Sequence, residues 1–272
     1  MIDSHCHLSR LVERGVSFSQ IRERAAAISK VISCSCSVHD WEAEESFGRA
    51  WPEVVVPQFG IHPWWAAEER PANWLELLRL KLEANLRCGI GEIGLHKNKP
   101  GVSMSAQTDM FRVQLNLACE MNRVCSIHCV NAFGTLLAIL REGRGGTLVM
   151  HSFSGSTEVM RDLTRLAGYQ VFFSASAQCP KESVLREIPI DFLLIETDSP
   201  DQQFTQGGEL HTDVSLLSGN GGELHTDVPP MHVNDCSQLP LVARRVAAVV
   251  ERPVCEILAI TTANARRAFS LV

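Results

Sequence analysis

"MIDSHCHL", residues 1–8, sets two histidines, His5 and His7, one residue apart at the start of the chain. In a β-strand alternate side chains leave the same face, so both imidazoles would stand on one side, about 7 Å apart along the strand. Such a pair is a pincer for a metal ion. Two ordinary polar residues on an N-terminal strand would look the same, and only the rest of the chain separates the two readings.

Seven further apolar runs read as strands: "VISCSC" (31–36), "VVVPQFGI" (54–61), "CGIGEIGL" (88–95), "VCSIHCV" (124–130), "GTLVMHSF" (146–153), "QVFFSAS" (170–176) and "DFLLIETD" (191–198). Between most of them lie stretches with apolar residues three and four apart, such as 103–122 and 131–142, which read as amphipathic helices. Strands apolar on both faces, each followed by a helical crossover, predict a parallel (β/α)8 TIM barrel. An open doubly wound sheet is the alternative, but no glycine-rich phosphate loop follows the first strand.

The chain has 272 residues, enough for such a barrel, which commonly takes about 250. Apolar residues make up 45% and charged residues 21%, the balance of a globular protein. The net charge of −6 argues against a protein that coats nucleic acid through a broad basic face. It leaves room for an enzyme that meets phosphate through bound cations. The ten cysteines include no CxxC pair, and several (Cys34, Cys36, Cys88, Cys125, Cys129) fall in apolar strand-like runs, so they read as reduced, buried thiols. No secretory leader and no bilayer-length apolar run is read, which gives the cytoplasm as the expected compartment, with nucleus or organelle open.

Two closing helices are expected at 239–250 and 254–269, with Pro253 at the start of the second. Before them "GGELHTDV" occurs at 207–214 and again at 221–228, a tandem duplication amid Gly, Ser, Asn and Pro. It reads as a tolerated surface loop at about 205–230 within one domain spanning 1–272, rather than as a source of metal ligands in His211 and His225.

Polar residues at the ends of the expected strands carry the chemistry. His5 and His7 leave the first, Glu92 the fourth, His128 the fifth, His151 the sixth and Asp198 the eighth. That is the face on which barrel enzymes build active sites. Four imidazoles and two carboxylates exceed one tetrahedral ion and suit two divalent ions sharing a carboxylate, with Glu92 the natural bridge. Such a pair, about 4 Å apart, clamps attacking and leaving oxygens and activates water. Asp198 would orient or deprotonate that water.

In order and spacing, "DSHCHL", "GIHPWW", "GEIGL", "IHCVNA", "HSFSGS", "ETDSPD" and "NARRAF" resemble the TatD family of metal-dependent deoxyribonucleases. The resemblance covers essentially the whole chain. It implies a barrel of the amidohydrolase superfamily that hydrolyses phosphodiesters, typically digesting DNA from its 3′ end. It further implies that His5, His7 and Asp198 hold one ion and His128 and His151 the other, with Glu92 between them. His62 in "GIHP" matches a histidine beside the scissile phosphate, where an imidazolium would bind phosphate oxygen. Single-stranded or frayed 3′ ends of DNA are the expected partner, with no membrane partner and a monomer as the default. Trp64, Trp65 and Phe153 lie near these residues, placed to stack on bases. The histidines accept zinc, manganese or iron by ligand softness, whereas family members often work with magnesium.

Three departures mark a divergent member. His96 in "GLH" stands where the family has aspartate, at the edge of the substrate site. Val130 and Asn131 replace an arginine and an aspartate, and valine cannot grip phosphate. "HVND" at 232–235 stands in place of "RNEP". Two other readings compete: a two-metal hydrolase of an amide, lactone or phosphomonoester, and a metal-binding protein without catalysis.

Overall fold

Eight parallel strands form one sheet whose spatial order is the chain order: β1 (Ile2–Cys6), β2 (Lys30–Cys34), β3 (Val55–Phe59), β4 (Gly89–His96), β5 (Cys125–Val130), β6 (Gly146–Met150), β7 (Tyr169–Ala175) and β8 (Leu193–Ile195). The structure, a computed structural model, describes residues 1–202 and 233–271. The duplicated segment lies outside the described residues. Beyond the end of β8, the Asp198 N–H donates to the His5 carbonyl (3.0 Å) and the His7 N–H to the Ser199 carbonyl (2.7 Å). These bonds extend the ladder across the last gap. Side chains reinforce the seam, with Asp3 accepting from the N–H (3.0 Å) and the hydroxyl (2.6 Å) of Thr197. The expected (β/α)8 barrel is what the chain forms.

Helices α1 (Leu8–Glu13), α2 (Phe18–Arg24), α3 (Trp41–Ala50), α4 (Trp74–Ala84), α5 (Met104–Glu120), α6 (Phe133–Glu142), α7 (Thr157–Thr164), α8 (Glu182–Leu185), α9 (Leu239–Val250) and α10 (Val254–Ala268) alternate with or follow the strands. Both closing helices stand where the sequence predicts them. A large core fills the space between strands and helices, and a second, smaller one joins Ile2, Ile32, Val56, Val149, Phe172 and Leu194 to Ala265 and Ala268 of α10 and to Phe269 just after it. The second core plugs the amino-terminal end of the barrel. Asn264 fixes α10 there by donating to the carbonyls of Ile190 (2.8 Å) and Leu193 (2.9 Å), at the start of β8. The carboxyl-terminal end is left for polar residues.

Two β-bulges set which residues face inward. In β1, Asp3 pairs with Val31 and Cys6 with Ser33, three steps against two, and in β4 the pairs Ile90 with Cys125 and Ile93 with Ile127 make the same mismatch. A bulge shifts the alternation of faces by one residue. Ile2 belongs to the inner core, and Ser4 Oγ meets Ser174 Oγ of β7 at 2.7 Å, so a regular β1 would next turn Cys6 inward. The extra residue turns His5 and His7 inward instead. In β4 the same device keeps Ile90, Ile93 and Leu95 in the outer core while aiming Glu92 at the axis.

Candidate metal centre

Glu92 stands at the centre of the carboxyl-terminal face, and its two oxygens look in different directions. Oε2 lies 3.5 Å from His5 Nε2 and 3.3 Å from His7 Nε2, while Oε1 lies 2.7 Å from His128 Nδ1 and 2.8 Å from His151 Nε2. Asp198 Oδ1 joins the first pair at 3.8 and 3.7 Å from His5 and His7. All six residues expected from the sequence are thus brought together. His151 and Asp198 reach the site from just beyond β6 and β8. Asp198 has φ 49°, a left-handed turn that ends the strand earlier than the apolar pattern predicts.

The far nitrogens of the imidazoles are occupied, which decides what the near ones can do. His7 Nδ1 donates to the Cys34 carbonyl (2.7 Å), because a carbonyl can only accept, so its Nε2 carries a lone pair toward Glu92. His151 Nδ1 faces the Glu196 carboxylate at 3.3 Å, which leaves its Nε2 bare in the same way. His128 Nε2 meets His96 Nδ1 at 2.9 Å, and His5 Nδ1 meets Cys34 Sγ at 3.4 Å. Ring nitrogens and carboxylate oxygens converge at 2.7 to 3.8 Å. Such a donor set is satisfied by cations at its centre, and N/O sites of this kind take divalent metals.

The charges point the same way. Burial pushes the Glu92 carboxyl up, but the imidazoles bonded to it, His151 foremost and His128, outweigh it and hold the group well below the usual carboxylate range. Burial also works against a charged His151, yet the carboxylates of Glu92 and Glu196 hold that imidazole well above its ordinary value, so wherever no metal ion occupies the position a proton on Nε2 takes its place. His5, buried and beside His151, is lowered to about 4. Asp198 is raised by burial to about 7.

Of the residues expected near substrate, His62 lies deepest. The Trp64 N–H donates to its Nδ1 (3.1 Å), so the ring is neutral and its Nε2–H points to Glu92 Oε1 at 3.5 Å, in place of the imidazolium expected from the sequence. Its ring contacts Trp64 and Trp65 edge-on, at 5.2 and 5.4 Å between centroids. Trp64 is half-buried with Lys99 Nζ 4.0 Å from its ring centroid. Phe153 is not available for base stacking: it is buried and packs edge-on against Phe133 and Phe173. The apolar run around it continues the core instead. His96 touches His128 and so borders the centre itself.

A cavity of about 60 Å³ opens above Glu92, walled by His7, Arg10, His62, Trp64, Asp198 and Asp201 among others. Sequence reasoning did not assign Arg10, Cys36, Glu196 or Asp201 to the site, although Glu196 and Asp201 flank Asp198 in the quoted "ETDSPD" and Cys36 reads as a buried thiol. A separate buried group, Asp3, Cys6 and Cys236, also gathers ligand atoms within 4.8 Å. There Asp3 is already bonded to Thr197 across the barrel seam.

The family model for TatD related DNase matches residues 2–270. The chain belongs to the TatD family. A TatD relative from Bacillus subtilis, described as the uncharacterized metal-dependent hydrolase YabD, is 28% identical over 286 residues, covering 100% of this chain and 99% of its own. Another, the 3′-5′ ssDNA/RNA exonuclease TatD of Erwinia tasmaniensis, is 27% identical over 259 residues, 92% of each chain. Among solved structures, a TatD family hydrolase from Entamoeba histolytica superposes with a TM-score of 0.82 at 19% identity, covering 100% of this chain and 98% of that one. A TatD homologue from Escherichia coli, YJJV, gives 0.78 at 22%, with 100% and 98% covered. These two likenesses show the barrel. As a TatD family member the protein is a metal-dependent hydrolase. Among the described residues no helix is long and apolar enough to cross a membrane.

Proposed function

We propose that this TatD family hydrolase is a two-metal phosphodiesterase that digests single-stranded or frayed DNA from the 3′ end. The observation that carries the reading is the division of Glu92, one oxygen toward His5 and His7, the other toward His128 and His151. His5, His7 and Asp198 would hold one divalent ion and His128 and His151 the other, with Glu92 shared. When bound, such a pair supplies Lewis acidity and lowers the pKa of water toward neutrality.

The chain's own groups have distinct tasks around that chemistry. Asp198, whose Oδ1 lies 3.8 and 3.7 Å from His5 and His7, is placed to orient the attacking water or take its proton. His62 offers its Nε2–H to a phosphate oxygen as a neutral donor, held in that tautomer by the Trp64 N–H. Burial keeps its pKa low, so it does not compete as a proton acceptor for water. Glu196 and the Cys34 carbonyl fix the rings of His151 and His7 from behind. His96 does the same for His128 and would border the substrate, with Trp64 beside it. The ssDNA/RNA exonuclease named among the relatives supports nucleic acid as the substrate class.

The decisive experiment is release of nucleotides from 3′- and 5′-labelled single-stranded DNA by metal-reconstituted protein, with Glu92→Ala as the contamination control. Metal-dependent loss of the 3′ label that vanishes in the variant is the expected result. Equal rates in both proteins, with two ions bound to the wild type, would overturn the nuclease reading and turn attention to amide, lactone and phosphomonoester substrates. Ions bound without turnover of any of these would indicate a non-catalytic metal protein.

A further inference from the structure

Asp201, at the mouth of the cavity, is shared by two guanidiniums. Its Oδ2 accepts from Arg10, its Oδ1 accepts from Arg14 Nη2 at 2.7 Å, and Arg14 also donates to the Pro200 carbonyl at 3.1 Å. One carboxylate cannot neutralise two guanidiniums. Arg10 and Arg14 together therefore carry one positive charge more than Asp201 balances, on a chain that is acidic overall. Arg14 suffices to hold Asp201 in place, and part-exposed ion pairs are worth little, so Arg10 is free to exchange its carboxylate for another anion at small cost.

The position of Arg10 says which anion. It lies on the first turn of α1, three residues after His7, the residue at which that helix starts. Both side chains wall the same cavity, but His7 is 3% exposed and Arg10 25%, so Arg10 stands one step nearer solvent. A planar guanidinium is the group best matched to a phosphate's paired oxygens. On another side of the mouth, after β4, Lys99 lies over Trp64, giving a second cation beside an aromatic face. A strand with its scissile phosphate beside Glu92 carries the neighbouring phosphate toward this rim, because Arg10 lines the same cavity.

We propose that Arg10 is a substrate-binding residue that grips the backbone phosphate next to the one being hydrolysed. This rests on the nuclease reading above and supplies it with a phosphate contact in a site where position 130 is valine.

The test compares wild type, Arg10→Ala and Asp201→Asn, each metal-loaded and checked for equal metal content and melting temperature. Binding of a hydrolysis-resistant phosphorothioate single strand is measured across a salt series, and hydrolysis of unmodified DNA and of bis(p-nitrophenyl) phosphate is measured in parallel. Arg10→Ala is expected to weaken strand binding about tenfold and to flatten the slope of log K against log salt by roughly 0.7. Asp201→Asn, which removes the competing carboxylate, is expected to tighten it. The small diester has no neighbouring phosphate, so Arg10→Ala should lower its kcat/KM far less than that of DNA. Strand binding within twofold of wild type in Arg10→Ala, or no strand binding by wild type, overturns the assignment. Equal loss on the small diester would place Arg10 on the reacting group and overturn it too. Arg10-dependent binding without DNA hydrolysis would sink the nuclease reading while leaving the anion site standing.

Discussion

Glu196 Oε1 accepts the Ser152 N–H at 2.7 Å and faces His151 Nδ1 at 3.3 Å, so one carboxylate oxygen fixes both the ring of His151 and the turn that carries it. Ser152 has φ 40°, a left-handed turn immediately after His151. Because the carboxylate demands a proton on Nδ1, it leaves the Nε2 lone pair available to a metal ion beside Glu92. Glu196→Gln keeps the shape and removes that demand. Metal affinity, read by calorimetric titration with manganese or zinc, should fall about 10- to 100-fold. An unchanged affinity would mean that Glu196 serves only the backbone of Ser152.

Gly94 shows how closely β4 and β5 must approach for Glu92 and His128 to meet. A Cβ at Gly94 would stand 1.9 Å from the His128 carbonyl oxygen, and its φ is +145°. Both the contact and the backbone conformation exclude a side chain. Gly94→Ala should therefore destabilise the fold by about 3 kcal/mol or more, measured by urea denaturation, and displace His128. A loss under about 1 kcal/mol would show that the two strands can part at this point without consequence.

These two positions also show what the sequence could and could not convey. The eight apolar runs and the helices between them are periodic, so the barrel was legible, and the six ligand-type residues could be placed at its carboxyl-terminal face by counting. The phase of that counting was not legible: His5, His7 and Glu92 face inward because of bulges at Ser4–His5 and Gly91–Glu92, and no alternation pattern marks an extra residue. The run "DFLLIETD" read as one strand, yet β8 ends at Ile195, because backbone bonds to His5 and Ser199 and a left-handed Asp198 take over the ladder. Supports such as Glu196 and the Arg10–Asp201 pair join residues 45 to 191 positions apart, and only the closed barrel brings them together.

The convergence of four imidazoles on two carboxylates predicts a protein stabilised by its ions. Chelation with EDTA should lower the melting temperature, and saturating manganese or zinc should restore it by roughly 5–10 °C, the shift expected at a hundredfold excess over Kd. Glu92→Ala removes the shared ligand and should abolish most of the restoration. A melting temperature indifferent to chelator and metal in a protein shown to be free of ions would contradict the donor geometry around Glu92.

Glu44 offers a test of burial away from the ligands. It lies on α3, fully buried, and accepts from the Ser33 hydroxyl at 2.6 Å and the Ser9 N–H at 3.1 Å, tying α3 to β2 and to the start of α1. Burial raises its carboxyl above the ordinary value, more than these hydrogen bonds lower it. The folded chain thus holds the Glu44 proton more tightly than the unfolded chain. Its contribution to stability is fully present below the unfolded pKa, about 4.3, and is lost as pH rises through the folded value. Glu44→Gln keeps a neutral group there at every pH. Ser33 Oγ, which already accepts the Leu8 N–H, can accept from the new amide as well. The melting temperature of the variant relative to wild type should therefore rise between pH 4 and pH 8, and taking the difference cancels the titration of Asp3 and Asp198. A difference that stays flat over that range would show that Glu44 ionises alike in the folded and unfolded chain, and that its two hydrogen bonds fully offset its burial.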